Sequence, residues 1–110
     1  MAATRASLST HVLDTAAGRP AAGVAVTLEA TDGTVLAEAV TDADGRVGDL
    51  AAGLPAGDLR LRFGTGAWYA ARGEVTFYPE VVVAFTVADG EHHHVPLLLS
   101  PFGYSTYRGS

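Results

Sequence analysis

The densest chemistry in the sequence lies near its C-terminus, where His92, His93 and His94 are consecutive, with a fourth histidine, His11, near the N-terminus. Imidazole titrates near pH 6.5, so it can take a proton from water or return one at neutral pH. It is also a common metal ligand. Strand periodicity sorts the C-terminal cluster. His93, Val95, Leu97 and Leu99 would share one face, and His92, His94, Pro96 and Leu98 the other. The first set reads as a core face. The second mixes imidazoles with a proline and a leucine, which suits a wet, partly enclosed site between subunits. Chain ends are usually frayed and polar, whereas this one keeps Phe102, Tyr104 and Tyr107 almost to its last residue, so it is expected to be held.

A metal site is one reading of these histidines. His92 and His94 stand at i and i+2, and His11 could be a third ligand, since three imidazoles suffice in some zinc enzymes. No carboxylate or thiolate is obviously placed to help. Asp42-Ala43-Asp44-Gly45 hints at a calcium loop, but the further spaced carboxylates of such a loop are missing, so it reads as a tight turn.

The rest of the chain must position these groups. Its 110 residues form one domain, 1–110, with a single core. Apolar residues make up 48% and charged ones only 17%, so apolar surface is left for association. The formal charge is −5, and the seven basic residues, all arginine, are scattered, which argues against a nucleic-acid surface. No apolar run approaches the roughly 20 residues of a membrane span. The start lacks the apolar stretch of a signal peptide, so a cytoplasmic location is expected. With no cysteine, disulfides and thiol chemistry are excluded.

Residues 7–14 read as a first strand, with Thr10 and Val12 on one face and His11 and Leu13 on the other. Residues 15–20 form a turn. Val24, Val26, Leu28 and Ala30 mark a half-buried strand, and Asp32-Gly33 turns it into a partner over 35–41. Residues 53–57 form another turn, and Leu59, Leu61 and Phe63 a one-sided strand. Residues 65–72 are the only helical candidate, with Thr65 as a possible cap and Gly73 as the stop. Residues 81–89 are apolar on both faces and are expected to be central or at an interface. Asp89-Gly90 is expected to turn the chain back so that the His92 strand pairs with them. Turns every eight to fourteen residues predict an all-β sandwich of seven to eight strands with one short helix.

Several motifs carry a family resemblance that spans nearly the whole chain. They are Ser9-Thr10-His11-Val12-Leu13-Asp14-Thr15 with Gly18-Arg19-Pro20-Ala21, and Phe77-Tyr78-Pro79-Glu80-Val81. At the C-terminus stand His92-His93-His94-Val95-Pro96-Leu97, Ser100-Pro101-Phe102-Gly103-Tyr104-Ser105-Thr106 and Tyr107-Arg108-Gly109-Ser110. Together they resemble the 5-hydroxyisourate hydrolases, the transthyretin-related enzymes of urate breakdown. One departure is His93, where the family more often has an aromatic residue.

The resemblance implies a transthyretin-like fold assembled as a homotetramer, with active sites at subunit interfaces. It also implies a reaction without metal or cofactor, in which water opens a cyclic amide of 5-hydroxyisourate. Carried over residue by residue, it makes His11 and His94 the groups that activate and place the water, either being the base. Arg46, after its Asp-Gly turn, becomes the substrate-binding and charge-stabilising arginine. Tyr107 would give a hydroxyl to the ring. Ser110 would line the pocket, its terminal carboxylate holding a histidine in its working tautomer. Two other readings compete. The stretch 23–63 alone looks like a non-enzymatic β-sandwich binding module, and the fold also serves transthyretin-type carriers of small aromatic ligands. The histidines and the Tyr-Arg-Gly-Ser end distinguish the hydrolases from both.

Overall fold

The structure, a computed structural model, describes residues 6–110. Its first sheet contains β1 (Ala6–Asp14), β2 (Arg19–Pro20), β5 (Arg46–Leu54), β8 (His92–Ser100) and β9 (Gly103–Thr106). The second contains β3 (Ala25–Ala30), β4 (Val35–Val40), β6 (Gly57–Phe63) and β7 (Val81–Val87), in the order β4-β3-β6-β7. Between β6 and β7 lies the single described helix, α1 (Thr65–Ala71). The two sheets share one core: Leu8 and Val12 of β1, Leu97 and Leu99 of β8, Val26 and Leu28 of β3, and Leu61 and Phe63 of β6 are all essentially sealed from solvent. Helix α1 adds Trp68 and Tyr69 to the core, and the Trp68 indole N–H donates to the Ala22 carbonyl at 2.7 Å.

The axis of the first sheet is the parallel pairing of β1 with β8, which runs from Ser7↔His92 to Asp14↔Leu99. Parallel strands need a long crossover, and here everything from β2 to β7 lies between them. Thr10 sits buried within this pairing and donates its hydroxyl to the Val95 carbonyl at 2.6 Å. On its other edge β1 takes β5 and the two-residue β2, both antiparallel.

The β-sandwich with one helix is as expected, with nine described strands in place of seven or eight. The differences have physical causes. β5 escapes pattern reading because Gly48, Ala51, Ala52 and Gly53 have little strand propensity. Its register with β1 also shifts twice, which breaks the two-residue alternation. β8 does not pair with β7. The residues between them form a corner from one sheet to the other rather than a hairpin, and β8 takes β1 and β9 as neighbours. The corner is pinned by the buried His93, whose Nε2 accepts the Ala88 N–H at 3.0 Å. Nor is β7 central: within this chain it is an edge strand. Thr65 is not a cap. It lies inside α1 and its hydroxyl donates to the Tyr78 carbonyl at 2.7 Å, while Gly64 holds the cap position. Gly73 does stop the helix, with φ 71° and its N–H on the Ala70 carbonyl.

Open edges remain on both sheets, among them β4 and β7 in the second and β9 in the first. Val82 on β7 is exposed, as are Phe102 and Tyr104 at β9. Tyr104 meets Tyr78 edge to face at 5.0 Å, and Tyr78 meets Phe77 in the same way at 5.2 Å.

Gly45 joins the turn before β5 to β1. Its φ is 73°, and a Cβ there would collide with the Val12 carbonyl oxygen. Gly45→Ala is therefore expected to lower stability by about 1–3 kcal/mol. A denaturant midpoint unchanged from the parent would show that this approach is not tight.

Candidate active site

The register of β1 on β8 assembles the site. Ser7 lies opposite His92, Ser9 opposite His94, and His11 opposite Pro96. Thr10 and Val12 face the core with Val95 and Leu97, so the intervening residues of both strands point outward. On the far side of β1, β5 sets Arg46 opposite His11. The turn before Arg46 is fixed by Asp42, whose Oδ1 accepts the N–H groups of Asp44 and Arg46, both at 2.9 Å. This carboxylate is engaged with its own backbone, as a tight turn requires. The Arg46 guanidinium is exposed and makes no ion pair among the described residues.

Ser9, Thr10, Arg46, Gly48, His92, His94 and Ser110 line a cavity of about 240 Å³. Small-molecule sites usually run from about 300 Å³ upward, so this one is small for a single chain to hold a ligand alone. His11 borders the same region through its pairing with Arg46, and its charge acts on His94. Four of the five expected residues, His11, Arg46, His94 and Ser110, are thus gathered on one face. Tyr107 is not. It lines a separate, mostly apolar cavity of about 310 Å³ with Val83, Phe85, His93, Val95 and Arg108, and only His94 borders both cavities among the residues expected at the site.

Two residues that the sequence reading passed over hold the His94 ring. Ser9 Oγ lies 2.8 Å from His94 Nδ1 and 2.9 Å from His92 Nε2, and Ser7 Oγ lies 2.6 Å from His92 Nδ1. Gly109 donates its N–H to the His94 carbonyl at 2.8 Å, and a Cβ on Gly109 would come within 2.5 Å of His94 Cδ2. The ring therefore lies against bare backbone, with Nδ1 engaged by Ser9 and Nε2 left for a ligand. Ser110 was expected to hold a histidine in its tautomer. It forms no hydrogen bond to His94 among the described residues, and Ser9 occupies that nitrogen. The two-residue period of β1 did put Ser7, Ser9 and His11 on one face. That this face would meet β8 was hidden, because the sequence suggested β7 as the partner of β8.

The imidazoles do not gather as a metal site would require: no group of three potential ligands converges among the described residues. His92 and His94 meet instead across the Ser9 hydroxyl.

Partial burial holds the His94 pKa below the ordinary imidazole value, and the nearby positive charges of His11, Arg46 and His92 push it the same way. The folded protein thus keeps His94 neutral where a free histidine would charge. The unfolded chain takes up the proton first as pH falls through about 6.5. His94 therefore costs stability below that pH and nothing well above it. An NMR titration should place the His94 ring midpoint below that of free histidine. Arg46→Gln, which removes a cation, should raise it. A midpoint at or above the free value would contradict this electrostatic picture.

Comparisons with known proteins show the family. The family model described as HIUase/Transthyretin family matches residues 8–109. A 5-hydroxyisourate hydrolase from Caulobacter vibrioides is 50% identical over 113 aligned residues, covering 94% of this chain and 97% of that protein. The solved 5-hydroxyisourate hydrolase of Klebsiella pneumoniae superposes with a TM-score of 0.88 at 45% identity, over 94% of this chain and 99% of that one. Sea bream transthyretin in complex with thyroxine superposes at 0.84 with 36% identity, over 93% of each chain. His11, Arg46, the histidine strand and the tail as far as Gly109 fall inside the matched span, and the chain belongs to the HIUase/transthyretin family.

Proposed function

We propose that this protein hydrolyses 5-hydroxyisourate, opening a cyclic amide of the substrate in urate breakdown. The observation that carries this reading is the convergence of His94, His11 and Arg46 on one face of the first sheet, beside a small polar cavity. Its support from relatives is that proteins covering nearly the whole chain at about half identity bear the name of that activity.

In this mechanism His94 is the base. Its neutral form is favoured by burial and neighbouring positive charge, which suits an acceptor of the water proton at neutral pH. Water's oxygen bonds to the ring carbonyl carbon as its proton passes to His94 Nε2. The carbonyl oxygen gains negative charge, and the Arg46 guanidinium stabilises it while its planar fork matches the flat, carbonyl-rich ring. The C–N bond then breaks, and the departing nitrogen receives the proton held on His94 Nε2. His11, beside Arg46 on the same face, positions the water. Ser110 closes the cavity wall. No step calls for a metal or cofactor.

A homotetramer with sites at subunit interfaces belongs to the same proposal. It is supported by the small size of the cavity and by unpartnered sheet edges with apolar residues exposed along them. Tyr107 is 57% exposed and stands outside the His94–Arg46 cavity, so its hydroxyl would serve a site completed by another copy. A cytoplasmic setting is part of the reading and is compatible with a sequence lacking cysteine. Among the described residues no helix is long and apolar enough to cross a membrane.

The direct test is the ultraviolet decay of freshly generated 5-hydroxyisourate. The protein should accelerate it strongly over the spontaneous rate, and Ala at His94, His11 or Arg46 should each lower kcat/KM by about 10²–10⁴-fold with unchanged circular dichroism. No acceleration by folded protein would leave the site a ligand-binding one. In sedimentation, a charge introduced at Val82 should split the assembly and abolish turnover together. A fully active monomer would uncouple the two.

A further inference from the structure

We infer that Ser7, His92, Ser9 and His94 form a proton relay from the candidate site to solvent, with the Ser9 hydroxyl as the positioning group that links His94 Nδ1 to His92. This rests on the hydrolytic reading for its kinetic consequences and extends it to three residues that the mechanism above does not use. The contacts are continuous: Ser7 Oγ to His92 Nδ1 at 2.6 Å, His92 Nε2 to Ser9 Oγ at 2.9 Å, and Ser9 Oγ to His94 Nδ1 at 2.8 Å. The link between the two imidazoles is buried, Ser9 being 7% exposed, and His94 at the inner end is half-buried. The outer end reaches solvent, His92 being exposed and Ser7 half-buried.

Donor counting allows two orderings of these groups when they are neutral. Each neutral imidazole has one N–H and one lone pair, and each hydroxyl donates once. In the first ordering His94 Nδ1–H donates to Ser9, Ser9 to His92 Nε2, and His92 Nδ1–H to Ser7. That leaves His94 Nε2 bare, the form a base requires. In the second every bond is reversed, from Ser7 inward, and His94 Nε2 carries the hydrogen, the form an acid requires. The relay converts one into the other by moving each proton a single bond.

When His94 Nε2 takes the water proton, its Nδ1 proton passes to Ser9 Oγ. The Ser9 proton moves to His92 Nε2, the His92 Nδ1 proton to Ser7 Oγ, and the Ser7 proton to solvent. All four groups end neutral. Delivery of the Nε2 proton to the departing nitrogen is balanced by the reverse sequence, one proton entering from solvent at Ser7. Water has then been added across the C–N bond with no net charge left on the protein. The benefit is electrostatic. His94 sits close to Arg46 and His11, where an imidazolium is disfavoured, and the relay lets it discharge a proton without remaining charged there.

Two variants test this. Ser9→Ala breaks the relay, whereas Ser9→Thr keeps a hydroxyl at the same position. Nitrogen NMR of the rings reads the tautomers without any substrate. Ser9→Ala should shift the nitrogens of His92 and His94 together, and Ser9→Thr should leave them close to the parent values. In turnover, Ser9→Ala should lower kcat by about 10–100-fold with KM nearly constant. The parent's proton inventory in mixed H₂O and D₂O should be curved and become linear in Ser9→Ala, and added imidazole buffer should restore part of the loss. Ring nitrogens unmoved by Ser9→Ala would overturn the relay, as would a parental kcat in that variant. A parent without activity on 5-hydroxyisourate would instead remove the hydrolytic reading, and the NMR comparison would still decide whether the relay exists.

Discussion

The parallel register between β1 and β8 joins residues some 85 positions apart, and every group at the candidate site hangs from it. A slip of β8 by one residue would turn His94 into the core and bring Val95 out to water, parting His94 from Ser9. The apolar side chains under the site therefore guard its chemistry. Leu8, Val12, Leu97 and Leu99 are fully buried, and losing that burial would cost several kcal/mol, far more than any polar contact across the outer face supplies. Thr10 adds a constraint from within the pairing, because its hydroxyl finds the Val95 carbonyl only in the native register.

The outer face is built by close approach rather than by bulk. Gly45 lets the Asp42 turn press onto β1 and set Arg46 beside His11, and Gly109 lets the tail lie flat on the His94 ring. The two glycines act at opposite sides of the site, one carrying the cation and one backing the imidazole. Their effect is to hold positive charge near a ring that is then kept neutral. The geometry of the backbone thereby tunes the acid–base character of a side chain that neither glycine resembles.

Much of this was legible in the sequence because it is periodic. The alternation in residues 92–99 correctly separated His93 from His94, and that in residues 7–14 separated Thr10 from His11. The turn chemistry of Asp42 to Gly45 was equally plain, since an Asx turn and a left-handed glycine are local events. What remained hidden depends on distant partners. Whether Asp89-Gly90 closes a hairpin or turns a corner between sheets is not written in those two residues, and the answer decided which strand His94 lies against. β5 was missed because a bulged, glycine-containing strand is held by its neighbour and not by its own propensity. Ser9 went unnoticed as a small hydroxyl whose importance arises only when β8 lies beside it.

The open edge at β7 has a further consequence. Val81 to Val87 contains no charge and no proline, and the whole chain contains no lysine, so the usual gatekeepers against strand addition are absent from it. Such an edge is quiet only while something covers it. At concentrations too low to keep its partners together, the same backbone that suits orderly assembly would become a template for fibrous growth. For this molecule, colloidal safety and quaternary order would then be one property.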